Sequence, residues 1–480
     1  MLYDGRCIVT DDFTKTISKI RAEKDSSIAD GPPRLIVVCE YGRLTAPALR
    51  VALGDLQEVT VGRGSRRSFV RQGKAATLSI PDHEISRKHV SVRRQPRGWE
   101  VADLDSKNGI LVNGEPARIT TLADGDLVEV GSTLLMFRDE GGGPDDDINH
   151  ATDRDLAAET ATPIAFRTVN VELEHRVHQL TKIAQTNVSV LIRGETGTGK
   201  ELIAQAIHDV SARNGPFVPI NCGALPRNLI ESELFGHMRG AFSGANEKRD
   251  GLVRSAHGGT LFLDEIAELP EESQATLLRV LQEGEVRPIG ANNAVKVDIR
   301  VVAATHQDIP TRRADGRFRQ DLYARLAGFE MALPALRDRL EDLGTLIATI
   351  LPRVAPAPEH ITLDYPAARA LFRYAWPLNI RELEQVLRVA VALTNTGEIQ
   401  LKHLSEAIRT YAPPNPTAAI EPDDHTLGEL LIKLLHEHGG NVGAVGRAMG
   451  KAPIQIRRWC HRMQIDLSHF RRQRRPRGKP

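Results

Sequence analysis

Gly194-Glu195-Thr196-Gly197-Thr198-Gly199-Lys200 constrains the fold of this chain more than any other stretch. An apolar, β-rich run at residues 188–192 precedes it and a helix-forming run at residues 201–211 follows. Glycine-permitted backbone lets successive N–H groups turn toward phosphate oxygens, and the N-terminus of the next helix adds its partial positive charge. Lys200 closes the loop and reaches the β- and γ-phosphates of a nucleotide. The general motif then wants Ser or Thr, but the chain has Glu201, which puts the usual hydroxyl ligand to magnesium in question. Further on, the apolar strand at residues 260–263 ends in Asp264-Glu265. That pattern supplies one carboxylate to hold Mg²⁺, through water, and a second to polarise an attacking water. The central part is therefore expected to be an α/β ATPase that uses ATP and Mg²⁺.

The chain has 480 residues, too many for one ordinary core. Its pattern changes along its length, which gives the expected organisation. An N-terminal extension (1–33) leads into an all-β sandwich (34–138) of short strands broken by Gly, Asp, Asn and Pro. A flexible, acidic, Gly-rich linker (139–161) separates it from the ATPase unit (162–411), whose second half, from residue 339, reads as all-helical. A Pro-rich linker (412–424), an all-α unit (425–470) and a basic tail (471–480) complete it. The charge balance, 63 basic against 62 acidic residues, conceals that tail. No apolar run is long enough for a membrane span, and the start lacks the apolar core of a secretory signal. The four cysteines, Cys7, Cys39, Cys222 and Cys460, have no metal-like spacing and read as free thiols of a cytoplasmic protein.

Three polar clusters fall on loops of the sandwich: Gly62-Arg63, Ser86-Arg87-Lys88-His89, and residues 103–109 followed by Asn113-Gly114. Together they offer the guanidinium, hydroxyl and amide donors that a dianionic phosphate needs. The segment Gly240-Ala241-Phe242-Ser243-Gly244-Ala245 places an aromatic between glycines, near a loop tip, where it is a candidate contact element. In the last unit, Leu427, Leu430, Leu431, Leu434 and Leu435 form one apolar helical face. Gly439-Gly440 ends that helix, Asn441 is placed to cap a second, and a basic third helix starts near Pro453. This is a helix-turn-helix pattern with Gln455, Arg457 and Arg458 as its DNA-facing residues. The tail adds salt-sensitive phosphate contacts.

The order of these motifs resembles the bacterial sigma-54-dependent activators, here with an N-terminal forkhead-associated (FHA) domain and a C-terminal Fis-type helix-turn-helix. The hexapeptide is similar to the Gly-Ala-Phe-Thr-Gly-Ala loop with which that family contacts sigma-54 and remodels RNA polymerase; Ser243 replaces its threonine. The resemblance makes Glu201 typical rather than anomalous. It implies that Asn221 holds Glu265 until nucleotide state releases it, that Thr305 senses the γ-phosphate, and that Arg319 and Arg325 are arginine fingers completing a neighbour's site in a ring, by family habit a hexamer. Arg381 becomes the second sensor's arginine, with Leu378 where the family has glycine. By the FHA resemblance Arg63 and Ser86 bind the phosphate of a phosphothreonine, with Arg87 or Lys107 assisting. Asn108 holds the peptide backbone and His89 braces the loops. Implied partners are sigma-54 RNA polymerase, upstream double-stranded DNA bound by dimers on half-sites roughly 34 Å apart, a phosphothreonine protein or a phosphosite on the chain itself, and a Ser/Thr kinase. Two other readings stand beside this one: a DNA-binding regulator whose ATPase is uncoupled from sigma-54, and a generic AAA+ remodeller.

Overall fold

The computed structural model describes residues 32–96, 98–139, 152–242, 245–411 and 424–449, and positions 456, 457, 459, 460, 465, 467 and 470. The expectations for residues 1–31, 140–151, 412–423 and 471–480, and for Ser243, Gly244, Gln455 and Arg458, lie outside the described residues. A division between two compact units falls after Arg409.

The first β-rich run folds into two facing sheets. One has the order Arg154–Asp155, Leu49–Ala52, Arg34–Glu40, Thr133–Arg138, Leu127–Val130, Ile110–Val112, Glu115–Ala117; the other runs Ile119–Leu122, Gly98–Asp103, Val90–Gln95, Glu58–Arg63, Ala75–Ile80, Ser68–Gln72. Alternate residues such as Leu35 and Val37, Val59 and Val61, Leu78 and Ile80, Val90 and Val92 turn inward to one core. Leu127–Val130 and Thr133–Arg138 are two strands joined by a tight turn. The C-terminal end of the expected linker, residues 152–161, is a correction. It is not free: Arg154–Asp155 adds a strand to the sandwich, Asp153 binds Arg71 and Asp155 binds Arg67. Arg67 and Arg71 fix these acids in place, so residues 153–155 work as a strap on the sandwich.

The α/β unit has a parallel sheet in the order Phe217–Asn221, Thr260–Asp264, Arg300–Thr305, Val190–Arg193, Phe329–Ala332. Both faces are covered, so its strands read as continuous apolar runs whose successive residues enter different cores. Leu191, Leu261 and Leu263 join one cluster; Val190, Ile192 and Phe262 join the other. Val190–Arg193 lies inside the sheet, flanked by a strand of later sequence on each side, and the phosphate loop leaves from its C-terminal end, where ligands of such sheets bind.

The second half is mainly helical, with Leu343–Val354, Tyr365–Arg373 and Asn379–Leu393 as its long helices. It also holds one short parallel pair, Thr362–Leu363 with Glu398–Ile399, which an all-helical reading missed. In the last unit, Asp424–Glu437 and Val442–Met449 are helices around Leu427, Leu431, Leu435, Val445, Trp459 and Cys460. Gly439 and Gly440 take positive φ between them, and Asn441 Oδ1 accepts the Ala444 amide as the cap. Leu430 departs from the expected face and is exposed.

Candidate functional site

The phosphate loop is built as its sequence demands. Strand Val190–Arg193 feeds it, Gly197 and Gly199 take φ of 81° and 97°, and helix Lys200–Asp209 starts at once. Lys200 is buried and donates to the carbonyls of Gly194 (3.0 Å) and Glu195 (3.2 Å). Thr198 Oγ1 donates to Glu195 O at 2.8 Å. Neighbouring strand ends bring Asp264, Glu265 and Thr305 beside this loop. Glu265 Oε1 lies 3.8 Å from Lys200 Nζ. Thr305 is buried, its carbonyl takes the Gly194 amide, and its hydroxyl accepts from Gln307 N.

Burial, then the charge of Glu265, raises the Asp264 carboxyl above the ordinary aspartate value, and Glu201 adds to the rise. The position after Lys200 thus contributes a third carboxylate to the field at Asp264 instead of a hydroxyl. Among the described residues no three His, Cys, Asp or Glu side chains converge to hold a metal by themselves. An acid pair with a raised carboxyl fits a divalent cation shared with nucleotide phosphates, the usual manner of Mg²⁺.

The expected Asn221–Glu265 pair is not formed. Asn221 Nδ2 points to Asp264 Oδ2 at 3.4 Å, and its Oδ1 accepts the amides of Gly223 and Ala224. Glu265 Oε2 instead meets His306 Nδ1 at 2.8 Å and accepts the His306 amide at 3.3 Å. His306 is a site residue to which the sequence reading gave no role. A titratable ring next to the candidate sensor threonine was the available signal.

The helical part closes on the loop from the other side. Asn379 is fully buried; its amide donates to Thr196 O (3.0 Å) and Glu195 Oε2 (3.2 Å), and its oxygen accepts Leu336 N (2.8 Å). Ile380 N donates to Gly197 O, and Arg339 donates to Thr198 O. Glu195 also pairs with Arg337, whose guanidinium lowers the Glu195 carboxyl below the usual range. Arg381 is exposed at the edge of the loop: a Cβ on Gly197 would stand 3.1 Å from that of Arg381 and 2.2 Å from Leu378 O. Only glycine fits there. Arg319 and Arg325 flank and occupy the exposed side of helix Gln320–Leu326. Arg319 pairs with Asp321 at 2.7 Å, and among the described residues neither arginine binds the phosphate loop, Asp264 or Glu265 of its own chain.

The Phe242 loop grows from the hairpin Gly236–His237 with Arg249–Asp250. Gly240 has φ of 80° and its N donates to Ala245 O, while Ala245 N donates to Phe242 O and Ala241 N to Met238 O. Phe242 is 39% exposed and sets its ring 5.0 Å from that of His237, edge to face. A second loop braces the first: Met238 N donates to Ile289 O and Ile289 N to Gly236 O. Residues 287–294 were not singled out in the sequence, because their support of Phe242 is purely tertiary.

At the sandwich loops, Arg63 N donates to Ser86 O, Ser86 Oγ accepts Lys107 N, and Arg63, Arg87, Lys107 and Asn108 are exposed around them. His89 is buried, with Nδ1 on Ser86 N and Nε2 at 2.9 Å from Gly109 O, so it ties the two loops together. Asn108 Nδ2 is engaged by Glu84, at 2.9 Å from its carbonyl and 2.7 Å from its carboxylate.

Residues 167–332 match the family described as Sigma-54 interaction domain, residues 337–420 the AAA+ ATPase lid domain, and residues 59–131 the FHA domain. The transcriptional regulatory protein GlrR of Escherichia coli (strain K12) is 42% identical over 298 residues, 62% of this chain and 67% of that one. The chain belongs to the sigma-54-dependent transcriptional regulators. Transcriptional regulatory protein ZraR of the same organism is 40% identical over 305 residues, 63% of this chain and 69% of its own. Among solved structures, NtrX from Brucella abortus in complex with ADP shows 28% identity over 65% of this chain and 72% of that one, with a TM-score of 0.48. By the family matches, the α/β sheet of this regulator with its helical lid is an AAA+ ATPase domain, and the sandwich is an FHA domain. No described helix is long and apolar enough to cross a membrane.

Proposed function

We propose that this chain is an ATP-driven activator that remodels sigma-54 RNA polymerase through the Phe242 loop. The observation that carries the reading is the placement of that loop. The segment that starts at Asn221, beside Asp264, runs through helix Arg227–Phe235 directly into the hairpin that bears Phe242. A change at the carboxylates has a short, rigid route to the contact aromatic.

ATP would lie along the loop at residues 194–200, its phosphates met by backbone N–H groups and by Lys200 turning from the carbonyls of Gly194 and Glu195. Asp264, and Glu201 behind it, would hold Mg²⁺, which supplies charge neutralisation to the phosphates when bound. Glu265, once off His306, orients the attacking water. Thr305 faces the γ-phosphate side, and Arg381 closes from the lid. Arg319 and Arg325 are turned outward, as fingers serving a neighbouring subunit need to be, so a ring, by family habit a hexamer, completes each site. The FHA loops would take a phosphothreonine through Arg63, Ser86, Arg87, Lys107 and Asn108. The C-terminal helices, with Gln455, Arg457 and Arg458, would tether a dimer to upstream DNA. This work belongs in the cytoplasm.

The test is open-complex formation with purified sigma-54 polymerase and the Phe242→Ala variant. ATPase activity within about twofold of wild type and loss of open complexes are expected, since the ring lies outside the nucleotide site. Normal open-complex formation by the variant would remove the loop assignment. No activity from the wild-type chain in any phosphorylation state would favour the reading of an uncoupled DNA-binding regulator.

A further inference from the structure

The FHA domain is docked on both halves of the ATPase. Toward the lid, Arg369 forms a bidentate pair with the buried Glu129 at 2.6 and 3.0 Å, and Arg373 donates to Asn113 O at 2.7 Å. Tyr365 OH donates to Gly131 O at 2.8 Å, and its ring stands edge-on to Tyr41 at 5.4 Å. Toward the α/β half, the fully buried Arg50 pairs with Glu174 at 2.7 Å and donates to Val169 O at 3.0 Å. The two halves meet over the phosphate loop, where Asn379 and Ile380 hold Thr196 and Gly197. One domain therefore grips both sides of the joint that encloses the nucleotide.

The phosphate-directed face reaches this grip through direct bonds. Asn108 binds Glu84, and Glu84 N donates to Asp82 Oδ1 at 2.9 Å. Asp82 Oδ2 accepts Ser132 N at 2.6 Å and Thr133 Oγ1 at 3.2 Å. Ser132 adjoins the Gly131 carbonyl that receives Tyr365, and its own carbonyl takes Tyr41 N.

We propose that the FHA domain is a clamp on the angle between α/β half and lid, and that a phosphothreonine peptide on its loops releases the lid. The proposal rests on the reading of Arg63, Ser86 and Asn108 as phosphopeptide ligands. Asn108 cannot donate to a peptide carbonyl while both N–H groups of its amide serve Glu84. Seating a peptide thus frees residues 82–85, and with them the 131–132 turn under Tyr365. A freed lid lets Asn379 move off the phosphate loop, so bound ADP leaves faster and exchange is promoted.

The full chain tests this below the concentration at which it self-assembles. The probe is the best binder from a peptide library with phosphothreonine fixed at its centre, and the readout is the affinity for fluorescent ADP. Saturating peptide should weaken ADP binding roughly 5- to 150-fold, the span of coupling between linked sites, and ADP should weaken the peptide by the same factor. Arg369→Ala should bind ADP as weakly without peptide as wild type does with it. Because Arg369→Ala leaves Glu129 buried and unpaired, Tyr365→Phe serves as the milder variant; it keeps the ring on Tyr41 and should reduce the coupling. ADP affinity indifferent to a peptide that demonstrably binds overturns the clamp, as does undiminished coupling in both variants. Failure of every library member to bind overturns the phosphopeptide reading itself, and the clamp's ligand with it.

Discussion

Glu265 sits in the left-handed region, with φ of 52°, which a non-glycine residue adopts at a cost of about 1–3 kcal/mol and only where its surroundings compel it. Those surroundings are His306 on one oxygen and Lys200 near the other. Glu265→Gln keeps the size of the side chain and removes the charge that orients water. Hydrolysis should fall by roughly 10²–10⁴ while nucleotide binding persists, as single-turnover assays beside equilibrium binding would show. The adjacency of Asp264 and Glu265 was legible in the sequence because it depends on one strand end. Which partner holds Glu265 was not, because His306 is 41 positions away and reaches it only through pairing of parallel strands.

The segment from Trp376 to Asn379 shows how a departure at one residue is absorbed by an element. The resemblance wants glycine at Leu378, yet Leu378 has φ of −104°, open to any residue, and its side chain is 56% exposed. Positive φ falls instead on Trp376 (50°) and Asn379 (58°), and asparagine tolerates that region better than most residues. Asn379 then fastens the lid helix to the phosphate loop. Asn379→Ala removes its donors and leaves Leu336 N without an acceptor, a loss of about 1–3 kcal/mol per stranded buried group. Weaker nucleotide binding should appear in calorimetry, with the lid detaching at lower urea than the sheet. The strand Arg34–Glu40 carried a signal of its own: it is buried at every position, where a sandwich strand with one solvated face alternates. The run of apolar residues was visible in the sequence; that helix Leu343–Val354 covers its outer face was not.

At the scale of the whole molecule, the FHA domain and the ATPase share one compact unit, and close backbone contact decides how they join. A Cβ on Gly344 would lie 1.7 Å from Val38 O, so Gly344→Ala must push the helix off the strand. Overpacking of this kind costs about 1–3 kcal/mol, and the expected result is early tryptic cleavage within residues 152–161 with both folds intact. Asp342 ties the lid to the entry segment by accepting from Thr168 Oγ1 (2.6 Å) and Val169 N (2.7 Å), and burial raises its carboxyl from 3.8 to about 6. The folded state holds that proton up to about 6 and the unfolded chain only to 3.8. The stability it contributes is complete below 3.8 and is lost as pH rises through 6. Relative to Asp342→Asn, the wild type should therefore gain stability in urea titrations moved from pH 7 to pH 5. The sequence by itself determined the order of domains, the phosphate loop, the paired carboxylates and the exposed aromatic, because each depends on residues adjacent in the chain and on local backbone geometry. Only the tertiary structure decided that Glu265 rests on His306, that Asn379 secures the lid, that residues 153–155 are a strap, and that the FHA domain grips the ATPase. Each of these needs groups far apart in sequence to meet at hydrogen-bond distance, and neither composition nor periodicity encodes such meetings.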